Sequence, residues 1–148
     1  MLEPITVTRP FELVGVDIKG PYKASVKGNK YILVCIDYFT NWVEAAPMKT
    51  ITGREVIDKF FELIISRHGS PEKLITDQGT QFTSKLFETL CHNFNIEKME
   101  TTAYHPQCNG KVEKFNKFLN DSVATSVNED HSNWDRLIDS VLLTYRSS

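Results

Sequence analysis

Three acidic residues, Asp17, Asp77 and Glu113, lie in stretches that read as three separate structural elements, with 35 residues between the second and the third. Gathering three carboxylates at one point is costly unless a cation offsets their mutual repulsion. Hard oxygen donors of this kind suit Mg²⁺ or Mn²⁺, and two such ions about 3.5–4 Å apart can activate an attacking oxygen and stabilise a leaving one on a phosphodiester. Taken singly, each acid has an ordinary explanation. Asp17 follows Val14-Gly15-Val16 and precedes a Lys19-Gly20-Pro21 turn, so strand alternation alone would expose it. Asp77 opens Asp77-Gln78-Gly79, common turn chemistry, and Glu113 is a helix former of a kind seldom fully buried. The combination is what points to a site, because two predicted strands each end in an aspartate and ligands of open α/β sheets collect beyond the carboxyl ends of strands.

The elements that must position these acids follow from hydrophobic periodicity. β-Branched and aromatic runs at 13–18 and 31–37, separated by a segment rich in Gly, Pro, Asn and Lys, predict two strands, and residues 42–48 a third, giving an antiparallel meander. Thr52 with Glu55 forms a capping box for a helix carrying Val56, Phe60, Leu63 and Ile64 on one face, ended by Gly69-Ser70-Pro71. A strand over 73–76, a helix over about 84–94 with Leu86, Phe87, Leu90 and Phe94 inward, and a strand over 96–99 come next. Helical crossovers between the later strands imply parallel pairing, hence a five-stranded mixed α/β sheet flanked by helices. Residues 101–110 read as a polar loop before a helix over about 109–127, in which Val112, Phe115, Leu119 and Val123 form the buried stripe. At 100° per residue, Glu113, Lys117 and Asn120 share one edge of that stripe. A last amphipathic helix carries Trp134, Leu137, Ile138, Val141, Leu142 and Tyr145.

The 148 residues suffice for one domain with a real core and are few for two. With 41% hydrophobic and 24% charged residues, composition argues against disordered, fibrous and membrane classes. No apolar run is long enough to span a bilayer and no signal sequence is visible, so an intracellular setting is expected. Cys35, Cys91 and Cys108 show no CxxC spacing, and His68, His92, His105 and His131 form no zinc pattern, so reduced thiols and no structural zinc are expected. A formal net charge of −2 is poor support for gripping nucleic acid by bulk electrostatics.

Three blocks carry a family resemblance: Val16-Asp17-Ile18-Lys19-Gly20-Pro21, then Ile75-Thr76-Asp77-Gln78-Gly79-Thr80-Gln81-Phe82, then residues 104–116, which run Tyr-His-Pro-Gln-Cys-Asn-Gly-Lys-Val-Glu-Lys-Phe-Asn. In order, spacing and wording, over about residues 10–148, they resemble the catalytic core of retroviral and gypsy-type retrotransposon integrases. The resemblance implies an RNase H-like fold and a polynucleotidyl transferase, a metal-dependent enzyme that trims a 3′ end of retroelement DNA and joins it to target DNA. It implies Asp17, Asp77 and Glu113 as catalytic metal ligands, for Mg²⁺ or Mn²⁺ and for two ions when DNA is bound. Tyr104, Gln107, Asn109, Lys111, Lys117 and Asn120 would then line the DNA end, with residues 104–110 as a mobile active-site loop hinged at Gly110. Cys108 departs from the family, which usually has a small hydroxyl residue there, and the chemistry assigns it no nucleophilic role. The resemblance further implies a homodimer with no membrane association, made in the cytoplasm and acting in the nucleus. Residues 1–148 are expected to be a single core domain, without the family's zinc-binding domain before it or its small basic domain after it.

Two other readings stay open. One is a domesticated, catalytically silent module for DNA binding or dimerisation; the other is an RNase H-type nuclease, which the wording around Glu113 disfavours. Asp37 also ends a strand, but in the resembling fold it lies away from the metal site and is expected to make a turn or polar contact. Trp42 and Trp134 sit among apolar neighbours in sequence and are expected to be core or dimer anchors rather than base-stacking platforms. Lys19, Lys23, Lys27 and Lys30 read as a solvated hairpin.

Overall fold

In the computed structural model the described residues are 6–77, 79–100, 106–128 and 133–147, with the backbone alone described at 100, 106–113 and 126–128. Five strands, β1 (Leu13–Lys19), β2 (Tyr31–Asp37), β3 (Val43–Met48), β4 (Lys73–Thr76) and β5 (Glu97–Glu100), form one sheet in the order β3-β2-β1-β4-β5. The first three are an antiparallel meander, while β1 pairs with β4, and β4 with β5, in parallel. The crossover from β3 to β4 runs through α1 (Gly53–Phe60), a π-helical stretch (Phe61–Ile65) and α2 (Ser66–His68). The next crossover uses α3 (Thr80–Thr83) and α4 (Lys85–Asn93), after which come α5 (Pro106–Asn128), a 3-10 turn (Trp134–Arg136) and α6 (Leu137–Arg146). The expected mixed sheet, and the antiparallel order of its first three strands, are thus present.

Alternation along the strands sorts the core into two halves. Leu13, Ile32, Val34, Ile36, Val43 and Ile75 face the side covered by α5 and α6, where Phe115, Leu119, Val123, Trp134 and Ile138 are buried. Val14, Val16, Leu33, Cys35 and Leu74 face the other side, against Val56, Phe60, Leu63, Ile64 and Phe87 of the crossover helices. Gly15 belongs to the α5 face. An added Cβ there would stand 2.7 Å from the Tyr38 hydroxyl, so the strand can approach that ring only without a side chain. Burial raises the thiol pKa of Cys35 and of Cys91, and both are free thiols.

Several expectations shift. Thr52 caps α1 by accepting from the Glu55 amide, but the Glu55 carboxylate reaches back to the amides of Lys49 and Thr50 instead of closing a capping box. In α4, Phe87 and Leu90 are buried as expected, but Leu86 is 50% exposed and Phe94 36%, because a short helix over a narrow part of the sheet can bury only one stripe. The polar segment before α5 is shorter than predicted. Helix begins at Pro106, so Gly110 lies inside it rather than in a loop; proline at a first helical position loses no hydrogen bond and already has a helical φ. Asp37 makes the anticipated turn contacts, accepting from the amides of Phe11 (2.9 Å) and Thr40 (3.1 Å) and from the Thr40 hydroxyl (2.7 Å). Trp134 is core, its indole N–H donating to the Lys23 carbonyl at 2.7 Å. Around it the β1–β2 hairpin is tied down, with Ser25 and Asn29 both donating to Asp135.

Glu44 on β3 is a buried carboxylate with several partners: Arg67 at 2.8 Å, His68 at 2.8 Å, Arg146 at 3.1 Å and the Trp42 indole at 3.0 Å. Burial pushes its pKa up, but the hydrogen bonds from Trp42 and His68 and the charges of Arg146 and Arg67 outweigh this and leave it below the ordinary carboxylate value. The stabilisation is therefore present above the unfolded-state pKa and lost as pH falls through the depressed folded value. Glu44→Ala is expected to cost about 2–3 kcal/mol in urea unfolding at neutral pH, at the low end for a broken buried pair because Arg67 is half exposed. Glu44→Gln should flatten the acid side of the stability profile.

Candidate metal and nucleic-acid site

Asp17 stands near the carboxyl end of β1, two residues beyond Gly15, and so falls on the α5 face of the sheet by alternation. Its carboxylate is about one-third exposed. One oxygen accepts from the Ile18 amide at 2.9 Å and the other pairs with Lys19 Nζ at 2.9 Å. An ammonium group thus already balances this acid, as a metal cation could. The chain then passes through the cis Gly20–Pro21 bond to Tyr22, whose pKa is raised first by burial and second by the charge of Asp17.

Asp77 directly follows β4 and is exposed. Its Oδ1 accepts from the Gly79 amide at 2.8 Å, a local turn that holds the carboxylate at the strand end. A Cβ on Gly79 would stand 2.9 Å from that oxygen and 2.5 Å from the Gln81 side-chain amide nitrogen, so a larger residue there would push both side chains aside. The parallel register relates the two aspartates. Leu13 pairs with Lys73, Val14 with Leu74 and Gly15 with Ile75; carried two steps further, the same offset sets Asp17 level with Asp77 on adjacent strands. Neighbouring strands lie about 4.8 Å apart. Both positions share the parity of Leu13 and Ile75, which face α5.

Phe115, Leu119 and Val123 pack α5 against that same face. The Tyr22 hydroxyl donates to Asn120 Oδ1 at 3.0 Å, tying the edge of α5 to the end of β1. Glu113 lies within α5 seven residues before Asn120, and seven residues turn a helix by nearly two full turns, so both positions share that edge. The side chain of Glu113 lies outside the described residues, as do those of Gln107, Asn109 and Lys111, and all of Tyr104. Lys117 is exposed on the helix. Among the described residues no three His, Cys, Asp or Glu side chains gather to hold an ion; the described members of the predicted triad are the two aspartates. Their hard oxygens and their exposure fit a divalent cation.

Two residues at this site escaped the sequence reading. Tyr22 follows a turn proline and looks like any loop aromatic, yet its hydroxyl ties the segment after β1 to Asn120 of α5. Asn116, one turn after Glu113, has a buried Oδ1 with no hydrogen-bond partner among the described residues, and its sequence neighbours give no sign of it.

Comparison with known proteins identifies the family and the fold. A family model described as "Integrase core domain" matches residues 7–106, more than half of the chain and ending before Glu113. The chain is 37% identical over 119 residues to a Gag-Pol polyprotein of avian reticuloendotheliosis virus, covering 80% of this chain and 10% of that protein. It is 31% identical over 136 residues to the retrovirus-related Pol polyprotein from transposon 412 of Drosophila melanogaster, covering 89% and 11%. The chain therefore spans about a tenth of the length of these relatives. Among solved structures, the catalytic core domain of BIV integrase matches with a TM-score of 0.74 and 25% identity, over 90% of this chain and 82% of that one. The HTLV-2 integrase catalytic core domain, in complex with magnesium and in a dimeric form, matches with a TM-score of 0.70 and 26% identity, over 91% and 86%. The fold is that of an RNase H-like core. The chain belongs to the integrase core domain family, of the retroviral and retrotransposon type, and so to a family of polynucleotidyl transferases.

The electrostatic influence of Asp17 on Tyr22 can be read in solution. Asp17→Asn removes the smaller of the two causes that raise the Tyr22 pKa, so the Tyr22 phenol should ionise at lower pH than in the parent, yet still above an ordinary tyrosine because burial remains. Ultraviolet titration of tyrosinate, with Tyr22→Phe subtracted to isolate this one ring, measures it.

Proposed function

We propose that this chain is the catalytic part of an enzyme that trims 3′ ends of retroelement DNA and joins them to target DNA. The observation that carries the reading is the parallel β1–β4 pairing, whose register, continued two residues past Gly15 and Ile75, would bring Asp17 and Asp77 level on the face against which α5, the helix of Glu113, is packed. Membership of the integrase core family supports it. The magnesium in the HTLV-2 core structure supports divalent metal use, with Asp17, Asp77 and Glu113 as the ligands and two ions when DNA is bound. When bound, such ions supply Lewis acidity at the scissile phosphate and lower the pKa of the attacking oxygen.

The chain's own groups have separate tasks. Asp17 and Asp77 provide anionic oxygens at the strand ends, and the Gly79 turn limits the freedom of Asp77. Lys19 neutralises Asp17 until a cation replaces it, after which the ammonium is free to meet a DNA phosphate. Lys117 and Asn120 continue the α5 edge away from Glu113 and serve as phosphate and sugar or base contacts, with Tyr22 fixing Asn120. Tyr104, Gln107, Asn109 and Lys111 are proposed for the approach to the DNA end. Water attacks in trimming and a 3′-hydroxyl attacks in joining, so no covalent protein intermediate is needed. The dimeric form of the HTLV-2 core supports a homodimer, and joining to chromosomal DNA sets the reaction in the nucleus.

A Mn²⁺-dependent strand-transfer or disintegration assay on branched DNA tests the reading. Activity should appear with Mn²⁺ or Mg²⁺ and vanish on chelation, and Asp77→Asn or Glu113→Gln should each lower it by about 10²–10³-fold or more. Activity surviving either substitution unchanged would reject the assignment. A folded chain with no activity and no metal response would mark a silent binding module instead.

A further inference from the structure

Away from the two aspartates, the β2–β3 turn, α5 and α6 enclose a groove of about 570 Å³. Its walls include Trp42, Phe118 and Tyr145, its rim carries Lys114 and Arg146, and none of its described lining residues is acidic, although the whole chain has a net charge of −2. We propose that this groove is a second nucleic-acid contact, in which a base of a single strand stacks on the aromatic walls while its phosphate pairs with Lys114 and Arg146.

The chemistry of each wall fits that occupant. The Arg146 guanidinium carbon lies 3.8 Å from the centroid of the Trp42 ring, and the indole is still 38% exposed. Phe118 is also 38% exposed, on the outer side of α5. Tyr145 is held edge-on against Phe115, with ring centroids 4.7 Å apart, so this wall does not have to be ordered on binding. Positive charge is in excess here: one carboxylate, Glu44, is shared by two guanidiniums, Arg146 at 3.1 Å and Arg67 at 2.8 Å, and Lys114 adds a further cation. Asn41 lines the same groove. Aromatic platforms beside cations are how single strands are held without sequence preference.

An acidic peptide offers the same charge but fits the edge less well. Such a peptide would extend the sheet along β3, its free edge strand, and there the Val43 carbonyl already accepts from Arg146 Nε at 3.1 Å. In the sequence Trp42 has no basic neighbour and gives no hint of stacking beside a cation. The fold supplies its basic surroundings from α5 and α6.

Trp42 is a built-in reporter, since the other tryptophan, Trp134, is only 1% exposed. The intact chain, without divalent metal, is titrated with a short mixed-sequence single-stranded oligonucleotide while tryptophan fluorescence and the anisotropy of the labelled strand are followed. Quenching is expected to accompany binding and to be lost in Trp42→Phe. Phe118→Ala should weaken binding about five- to a hundredfold. Lys114→Glu should weaken it about tenfold and lower the salt slope by about 1 or more. Lys59→Glu, on the opposite face, should change neither, and circular dichroism checks that each variant folds. Binding without quenching, quenching unaffected by Lys114→Glu, or an acidic peptide of equal charge quenching in place of DNA would each overturn the proposal. Because no metal and no joining reaction is involved, failure here is distinct from failure of the strand-transfer assay.

Discussion

The parallel pairing of β1 with β4 is the contact on which the candidate site depends. β1 is the central strand, antiparallel to β2 on one side and parallel to β4 on the other, so only toward β4 do two strands finish at the same end. Their register is held by burial on both faces, because a slip of one residue would turn Leu74 and Ile75 each into the wrong half of the core. With that register held, the two aspartates stand level. Lys19 pairs with Asp17 at 2.9 Å and offsets its charge.

The division of the core then selects which helix can complete the site. Odd-numbered positions of β1 and β4 face α5 and α6, while even-numbered positions face the crossover helices, so an acid at position 17 or 77 can be joined only from the α5 side. α5 is anchored there by Phe115, Leu119 and Val123 and tied at its edge by the Tyr22–Asn120 hydrogen bond. Glu44 does comparable work at the far edge of the sheet, where it binds β3 to α2 and α6 through Arg67, His68 and Arg146.

Much of this was legible in the residues. β-Branched runs located β1, β2 and β4 closely, and helical crossovers implied the parallel half of the sheet. The burial of Phe115, Leu119 and Val123 followed from spacing alone, since a 3.6-residue period needs no knowledge of the partner surface. What was not legible depended on contacts distant in sequence. Whether Leu86 is covered depends on how much sheet lies beneath α4; the stacking of Arg146 on Trp42 needs α6 to close on the β2–β3 turn; the role of Tyr22 needs Asn120 beside it. The start of α5 was misplaced for a different reason. Polar residues at 106–110 look like loop, but proline at a first helical position loses no hydrogen bond and already has a helical φ.

The convergence of Asp17, Asp77 and Glu113 on a shared divalent ion is tested most directly by anomalous diffraction from crystals of this chain soaked in Mn²⁺. The strongest anomalous peak should lie between the carboxylates of Asp17 and Asp77, within about 2.0–2.3 Å of their oxygens, with Glu113 reaching the same ion or a second one beside it. A peak elsewhere, with the three carboxylates pointing apart and no ion between the ends of β1 and β4, would contradict it.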